Sequence, residues 1–397
     1  MVILPSVVGK STQPLDVLFV ISGLGVGGSE RQLALLASRL ARDGATTAVY
    51  AIVDGPVRQD LEANGVEVLL GPGARPSDVR TVVKTAIDLY SVMRRRRPHI
   101  VHFFLPAAFL IGAPLALLAG IPVRVMSRRS LNSYQRHAFA RIGERWCLRT
   151  IHAALGNSRS VVAQLLQEGV QPSRVGLIYN GVAIPKADVT RDNARAQLGL
   201  SSDALVMSVI ANLIPYKGHD DLIDALALAG PHLPAGWRLL AVGRDDGIGV
   251  RLKRRVHELG MEENIVFMGS RNDVRTILAA SDLGILSSHQ EGFSNAVLEG
   301  MAAGLPMIVT QVGGNAEAVI DGETGIVVPA HDSERLAAAI NRLAADVTLR
   351  DAFGAAGRKR ASDEFGGDRF VHLHRDVYAA LDGGRLPADV KDLPVVP

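Results

Sequence analysis

Strand-like apolar runs alternate with longer stretches of helical spacing along this chain, and the alternation starts again after the middle. That rhythm predicts parallel sheets with helices on both faces. Strands are expected at 15–21, 46–53, 66–70, 99–103 and 123–127, with helices at 29–42 and 79–97. After the restart, strands are expected at 204–210, 237–242, 265–268, 283–286 and 306–310. Helices then fall at 219–229, 250–259, 274–280 and 295–303, and later at 332–345, 349–365 and 369–381. The fold class is therefore α/β, with two doubly wound, Rossmann-like parallel-sheet domains facing a cleft. The expected division is an extension at 1–14, a first domain at 15–183, a second at 184–367, and a helix and tail at 368–397 that pack back on the first domain.

The 21 residues Phe103–Val123 carry no charge, long enough to span a bilayer. Pro106, Pro114, Pro122, Gly112 and Gly120 interrupt them, and a strand-like run precedes them, so a buried helix is the expectation. The N-terminus shows no basic segment followed by a long apolar core, so no secretory leader is expected. A single cysteine, Cys147, excludes a disulfide framework and any cysteine-rich metal site.

Charge is divided unevenly. Residues 1–180 carry 21 Lys and Arg against 11 Asp and Glu, whereas the remainder carries 22 against 29. Eleven arginines but one acid, Glu144, lie between Arg94 and Arg149. A basic face of this kind suits phosphates or an anionic membrane. Its expected members are Arg94, Arg95, Arg96, Arg97, Arg128, Arg129 and Arg136.

Four loops have residues suited to chemistry. Ser22-Gly-Leu-Gly-Val-Gly-Gly-Ser-Glu30 joins a strand to a helix, and its glycines allow close approach of an anion to the helix N-terminus. Gly23, Gly25 and Gly28 also fit G-x-G-x-x-G, and Asp54 ends the next strand, which admits a nicotinamide-dependent oxidoreductase. In Ser287-Ser-His-Gln-Glu-Gly-Phe-Ser-Asn-Ala-Val-Leu-Glu299, Glu291 precedes a helix and Glu299 lies inside it. Their spacing excludes a close acid–base dyad and suits two hydroxyl-rich parts of one ligand, while the amides of Ser294, Asn295 and Ala296 face a phosphate. Lys217 stands in a turn ahead of a helix, where its ammonium suits a phosphate oxygen. Val312-Gly-Gly-Asn-Ala-Glu317 is a further glycine loop opening a helix. A nucleic-acid-binding module is the remaining alternative, but aromatics make up only 5% of the chain and no such motif is present.

From about Leu15 to Phe365 the chain resembles the retaining glycosyltransferases of family 4, which have the GT-B fold. The resemblance is carried by Gly25-Val-Gly-Gly-Ser-Glu30, Asn157-Ser158, Tyr179-Asn-Gly-Val182, Pro215-Tyr-Lys-Gly218, Gly269-Ser-Arg-Asn-Asp273, the block from Glu291 to Glu299, and Gly313-Gly-Asn-Ala-Glu317. It implies transfer from a nucleotide diphospho-sugar, with UDP as the first choice, to a saccharide or lipid-linked saccharide in surface polysaccharide or glycolipid assembly.

By that resemblance Glu299 holds the ribose and Glu291 the donor sugar. Gly292 and the amides around Phe293, Ser294 and Asn295 bind the diphosphate, Lys217 neutralises it, and Gly27 and Gly28 approach it from the other domain. Arg271 lies near the base. No metal and no cofactor is expected, and the sequence shows no Asp-x-Asp loop and no His/Cys cluster. The resemblance implies a cytoplasmic protein, with peripheral contact at the inner face of a membrane. Two positions depart from the family pattern. Asn212 stands where many members place an arginine, so the phosphate charge rests more heavily on Lys217 and helix dipoles, or on Arg244. Arg128-Arg129 follow the strand after which many members place a histidine, so either Arg128 or Arg129 is expected to stand in on the donor or an anionic acceptor. His102 is the other candidate if it faces the cleft, a buried or capping role being the readier expectation for it.

Overall fold

The computed structural model describes residues 15–72, 79–131, 138–185 and 189–394, with backbone alone for 138–141. It divides into two compact units. The first comprises residues up to 156, 162–178 and 371 onward; the second comprises 157–161 and 179–370. The expected N-terminal extension lies outside the described residues.

In chain order the first unit's elements are β1 (Val17–Gly23), α1 (Gly28–Arg42), β2 (Thr47–Val53), α2 (Val57–Ala63), β3 (Glu67–Leu70), α3 (Val79–Arg96), β4 (Ile100–Phe104), α4 (Pro106–Leu118), β5 (Val123–Arg128), α5 (Ala138–Thr150), β6 (Ala153–Gly156), α6 (Arg159–Gln167) and β7 (Val175–Leu177). The first turn of α6 groups with the second unit. All seven strands are parallel, in the order β3-β2-β1-β4-β5-β6-β7. Strand β1 is buried from Val17 to Ile21, as a central strand covered on both faces must be.

The uncharged segment forms α4, whose buried side includes Phe109, Gly112 and Ala113. A Cβ at Gly112 would stand 2.4 Å from the Phe103 ring, so glycine sets how closely α4 approaches β4. Among the described residues no helix is long and apolar enough to cross a membrane.

The second unit runs α7 (Arg191–Leu198), β8 (Val206–Ile210), α8 (His219–Ala229), β9 (Arg238–Val242), α9 (Gly249–Glu258), β10 (Ile265–Gly269), α10 (Val274–Ala280), β11 (Leu283–Leu286), α11 (Asn295–Ala302), β12 (Met307–Thr310), α12 (Asn315–Ala318), β13 (Gly325–Val328), α13 (Ser333–Ala345) and α14 (Val347–Phe365). Its six strands are also parallel, ordered β10-β9-β8-β11-β12-β13. Met207, Val209, Leu222, Ile285, Met301 and Ile308 are among the residues of its core. In both sheets the order reverses beside the first strand, between β1 and β4 and between β8 and β11. Ligands of open parallel sheets bind at such reversals, outside the carboxyl ends of the strands.

The final helix, α15 (Gly367–Asp382), joins the first unit from Val371 onward. There Tyr378 Oη lies 2.6 Å from His102 Nδ1 while Ser127 Oγ lies 2.8 Å from His102 Nε2. His102 is fully buried, and burial holds its pKa well below the ordinary histidine range, with His374 and Arg129 adding repulsion. In the second unit burial likewise lowers His219, whose Nε2 meets the Asn212 carbonyl at 3.0 Å.

An imidazole kept neutral by folding still binds a proton when unfolded, at about pH 6.5. Below that pH the unfolded state holds more protons, so stability falls as pH drops. Urea unfolding should show a lower midpoint at pH 5 than at pH 7.5, and His102→Gln should reduce the difference. Each such imidazole contributes up to about 1.4 kcal/mol per pH unit. A midpoint unchanged between those pH values would contradict the buried neutral pair.

Candidate active site

The loops after β8 and β11 meet at the strand reversal of the second unit. The first ends in a turn at Pro215–Lys217, closed by Gly218 at φ 65°. A Cβ on Gly218 would come 1.9 Å from the Ser287 carbonyl oxygen, so the backbones touch directly. Ser287 Oγ donates to the Gly218 carbonyl at 2.9 Å, and the His289 amide donates to the Tyr216 carbonyl at 2.7 Å.

This contact brings two of the expected residues together. Lys217 Nζ donates to Glu291 Oε1 at 2.6 Å, with the two side chains 18% and 10% exposed. Ser288 Oγ donates to the same carboxylate oxygen at 2.7 Å. The Lys217 ammonium also stands 5.5 Å from the centre of the Tyr216 ring. Lysine and glutamate thus form a joined, partly shielded pair.

The glycine loop after β12 supports Glu291 from the other side. Gly313 has φ 51°, and its Cβ would fall 1.9 Å from the Glu291 carbonyl oxygen. The Gly314 amide donates to the Gly292 carbonyl at 2.7 Å. Phe293 is buried, with the rings of Tyr179 and Phe365 at 4.8 and 5.3 Å between centroids. Asn180 Nδ2 donates to the Phe293 carbonyl at 2.8 Å and to Asn295 Oδ1 at 2.7 Å.

Ser294 is the N-cap of α11, and its side chain makes no capping bond. By contrast, Thr190, Asp332 and Asp346 cap α7, α13 and α14 with their side chains. The first amides of a helix have no acceptor within it, and the α11 end carries the positive pole of the helix dipole. Glu299 lies half-buried on the second turn of α11.

The other expected donor contacts are more exposed. Arg244 Nε and Nη2 bond to Asp246 at 2.6 and 2.9 Å, and the Arg244 amide donates to Asn212 Oδ1. Arg271 makes the same two-pronged contact with Asp273 at 2.8 and 2.6 Å. Neighbouring carboxylates thus hold both guanidinium groups. In the first unit Gly27 caps α1 and Gly28 opens it, at that sheet's strand reversal. A Cβ on Gly27 would meet the Glu30 carboxylate at 2.3 Å, and burial raises the Glu30 pKa.

The basic face needs correction. Arg94, Arg95 and Arg97 are exposed, but Arg96 is buried against Glu67 at 2.7 Å. Arg128 is buried too, bonding Glu144 and Glu168 at 2.5 Å each. Two carboxylates already balance its charge, so it adds no free cation to the surface. Arg136 lies outside the described residues. Arg129 stacks on the Phe104 ring at 5.4 Å, with Nη2 3.5 Å from His374 Nε2, and burial lowers its pKa. His102 is fully buried, with Tyr378 and Ser127 against its two ring nitrogens.

One cluster escaped the sequence reading, which expected no metal-binding set. Asp221, in the first turn of α8, and His289 and His331, in the loops after β11 and β13, have ligand atoms within 4.8 Å of one another. Their positions are 42 or more residues apart, so no spacing motif announces them.

Two doubly wound parallel units, the second with its charged pair at the strand reversal, define the GT-B class of fold. The model of the glycosyl transferases group 1 matches residues 190–360, and that of glycosyltransferase family 4 matches 26–184. Together they show that the chain belongs to the group 1 glycosyltransferases, family 4. The D-inositol 3-phosphate glycosyltransferase of Streptomyces bingchenggensis is 31% identical over 258 residues, 62% of this chain and 56% of that protein. The enzyme of the same name from Acidothermus cellulolyticus is 29% identical over 375 residues, 85% and 82% of the two chains. The chain spans only about half the length of most such relatives. Anabaena HepE, solved with UDP-glucose, superposes with a TM-score of 0.80 at 23% identity, over 92% of this chain and all of that one. The hydride-transfer and nucleic-acid readings are thereby set aside.

Breaking a buried ion pair by removing one partner costs about 3–5 kcal/mol. Arg128→Ala strands Glu144, so its urea midpoint should fall by a corresponding amount. A merely superficial Arg128 would leave the midpoint unmoved.

Proposed function

We propose that this chain is a retaining glycosyltransferase that moves a sugar from a nucleoside diphosphate, UDP first, to a hydroxyl of a saccharide or lipid-linked saccharide. The observation that carries the reading is the Lys217–Glu291 pair beside the N-terminus of α11, which lacks a side-chain cap. Lysine and the first amides of α11 suit the diphosphate, and the carboxylates suit hydroxyls: Glu291 for the sugar and Glu299 for the ribose. Gly292, Phe293, Ser294 and Asn295 supply the diphosphate's backbone contacts. Asn212, Arg244 and Arg271 line the nucleotide side.

In the proposed step the bond from the anomeric carbon to the leaving phosphate oxygen breaks. The acceptor oxygen bonds that carbon on the same face, and its proton passes to the leaving diphosphate. Charge accumulates on the diphosphate as it departs, and preorganised donors stabilise it most there. Donor binding frees Lys217 for the phosphate while Ser288 continues to hold Glu291. No metal or cofactor enters this step, which rests on fixed charges and amides alone.

Removing one such donor typically costs about 10²–10³ in rate. Lys217→Ala should lower kcat/KM with a UDP-sugar by that factor, and UDP should raise the Tm of the wild-type protein but not of Glu299→Ala. Near-normal turnover in the lysine variant would remove Lys217 from the mechanism.

Peripheral attachment to an anionic membrane at the cytoplasmic face completes the proposal. Helix α3 exposes Val79 at 78%, Val83 at 49% and Ile87 at 66%, one turn apart, with the exposed Arg80 and Lys84 beside them. Apolar residues beside basic ones suit an anionic lipid surface, and Arg94, Arg95 and Arg97 extend the charge. In vesicle flotation the protein should prefer phosphatidylglycerol over phosphatidylcholine, and Ile87→Asp should abolish the preference. Equal flotation with both lipids would refute the membrane contact.

A further inference from the structure

The cluster of Asp221, His289 and His331 has no part in the proposed transfer. We propose that it is a binding site for one divalent cation of the zinc class, which braces the loop carrying Glu291. The proposal does not depend on the transferase reading.

The ligand chemistry is two imidazoles and one carboxylate. This mixed nitrogen and oxygen set suits zinc, cobalt or nickel better than magnesium or calcium, which favour oxygen alone. His289 Nε2 lies 2.8 Å from Asp221 Oδ2, and His331 Nδ1 lies 3.8 Å from that oxygen. A tetrahedral zinc with bonds of about 2.0–2.1 Å holds its ligand atoms about 3.3 Å apart. One distance must open and the other close by about half an ångström, within side-chain rotation. The histidine rings already overlap, with centroids 3.7 Å apart and planes at 35°. His331 is 67% exposed, so water can reach the remaining coordination position.

The backbone holds all three residues ready. The His289 amide is tied to the Tyr216 carbonyl. Asp221 lies in the first turn of α8. His331 has φ 61°, an uncommon value for a non-glycine residue, and directly precedes Asp332, whose side chain caps α13. Little ordering entropy then remains to be lost on binding. A bound cation would join the loops after β11 and β13 to the start of α8. His289 is two residues from Glu291, so the cation stiffens the segment that carries the charged pair.

The experiment uses untagged full-length protein, freed of metal, and titrates it with zinc by calorimetry and with cobalt by visible absorption. One ion per chain is expected, with a ligand-field spectrum of low coordination number and slowed amide exchange over 287–292. His331→Ala and His289→Ala should each weaken binding by at least about tenfold, the scale that outer-shell changes already reach. His331 is exposed, so its variant should fold normally. His372→Ala, in the separate group of His372, Asp376 and Asp392, should bind as wild type does. Absence of stoichiometric binding would overturn the site. So would binding that survives in both the His289 and His331 variants, or that is lost in His372→Ala instead.

Discussion

Direct backbone contact on both sides of the loop after β11 is the constraint on which the active region depends. Gly218 presses on Ser287 and Gly313 on Glu291, each at a distance that no Cβ allows. Both glycines have positive φ, a conformation other residues adopt only under strain. The contacts fix three successive loop ends of a parallel sheet relative to one another. Lys217 and Glu291, separated by more than seventy positions in sequence, meet as a consequence of that packing.

The two units treat their charges differently. In the first, arginines that look like a continuous basic face divide into an exposed set and a buried set. Arg96 and Arg128 are neutralised by Glu67, Glu144 and Glu168. The lone acid in the basic stretch, Glu144, is therefore an internal counter-charge. In the second unit Arg195 is a fully buried cation, held by Asp282 at 2.8 Å and by the carbonyls of Ala204 and Ala280. Arg244 and Arg271, by contrast, lie at the surface with carboxylates from their own loops, arrangements that an anionic ligand can displace at low cost.

The parallel α/β architecture was legible because it rests on local periodicity. Helices α8 and α10 and strand β11 begin and end where spacing places them. Periodicity gives no place to α5, β6, α6 and β7 after residue 128, nor to β13. These strands are three or four residues long, too short for a periodic signal. The glycine loops and the glutamate block were legible because glycine and helix-start positions leave a local mark. Partnerships were not. Nothing local tells that Arg128 turns inward, that Tyr378 completes the surroundings of His102, or that Asp221, His289 and His331 converge. Those facts come from which loops the sheet order makes neighbours.

The placement of α15 bears on how the molecule is made. An N-terminal domain ordinarily folds as it leaves the ribosome, ahead of the domains made after it. Here the first unit takes its last structural members from residues 371 onward, including the hydroxyl that pairs with His102 and the proline and leucine that cover Gly176. Until those residues have been made, its sheet stands with a buried imidazole half satisfied and one flank bare. Of the two units, the one begun first is thus completed only after the other has been made, and loss of the residues from 371 onward would damage it rather than the unit that directly precedes them in the chain.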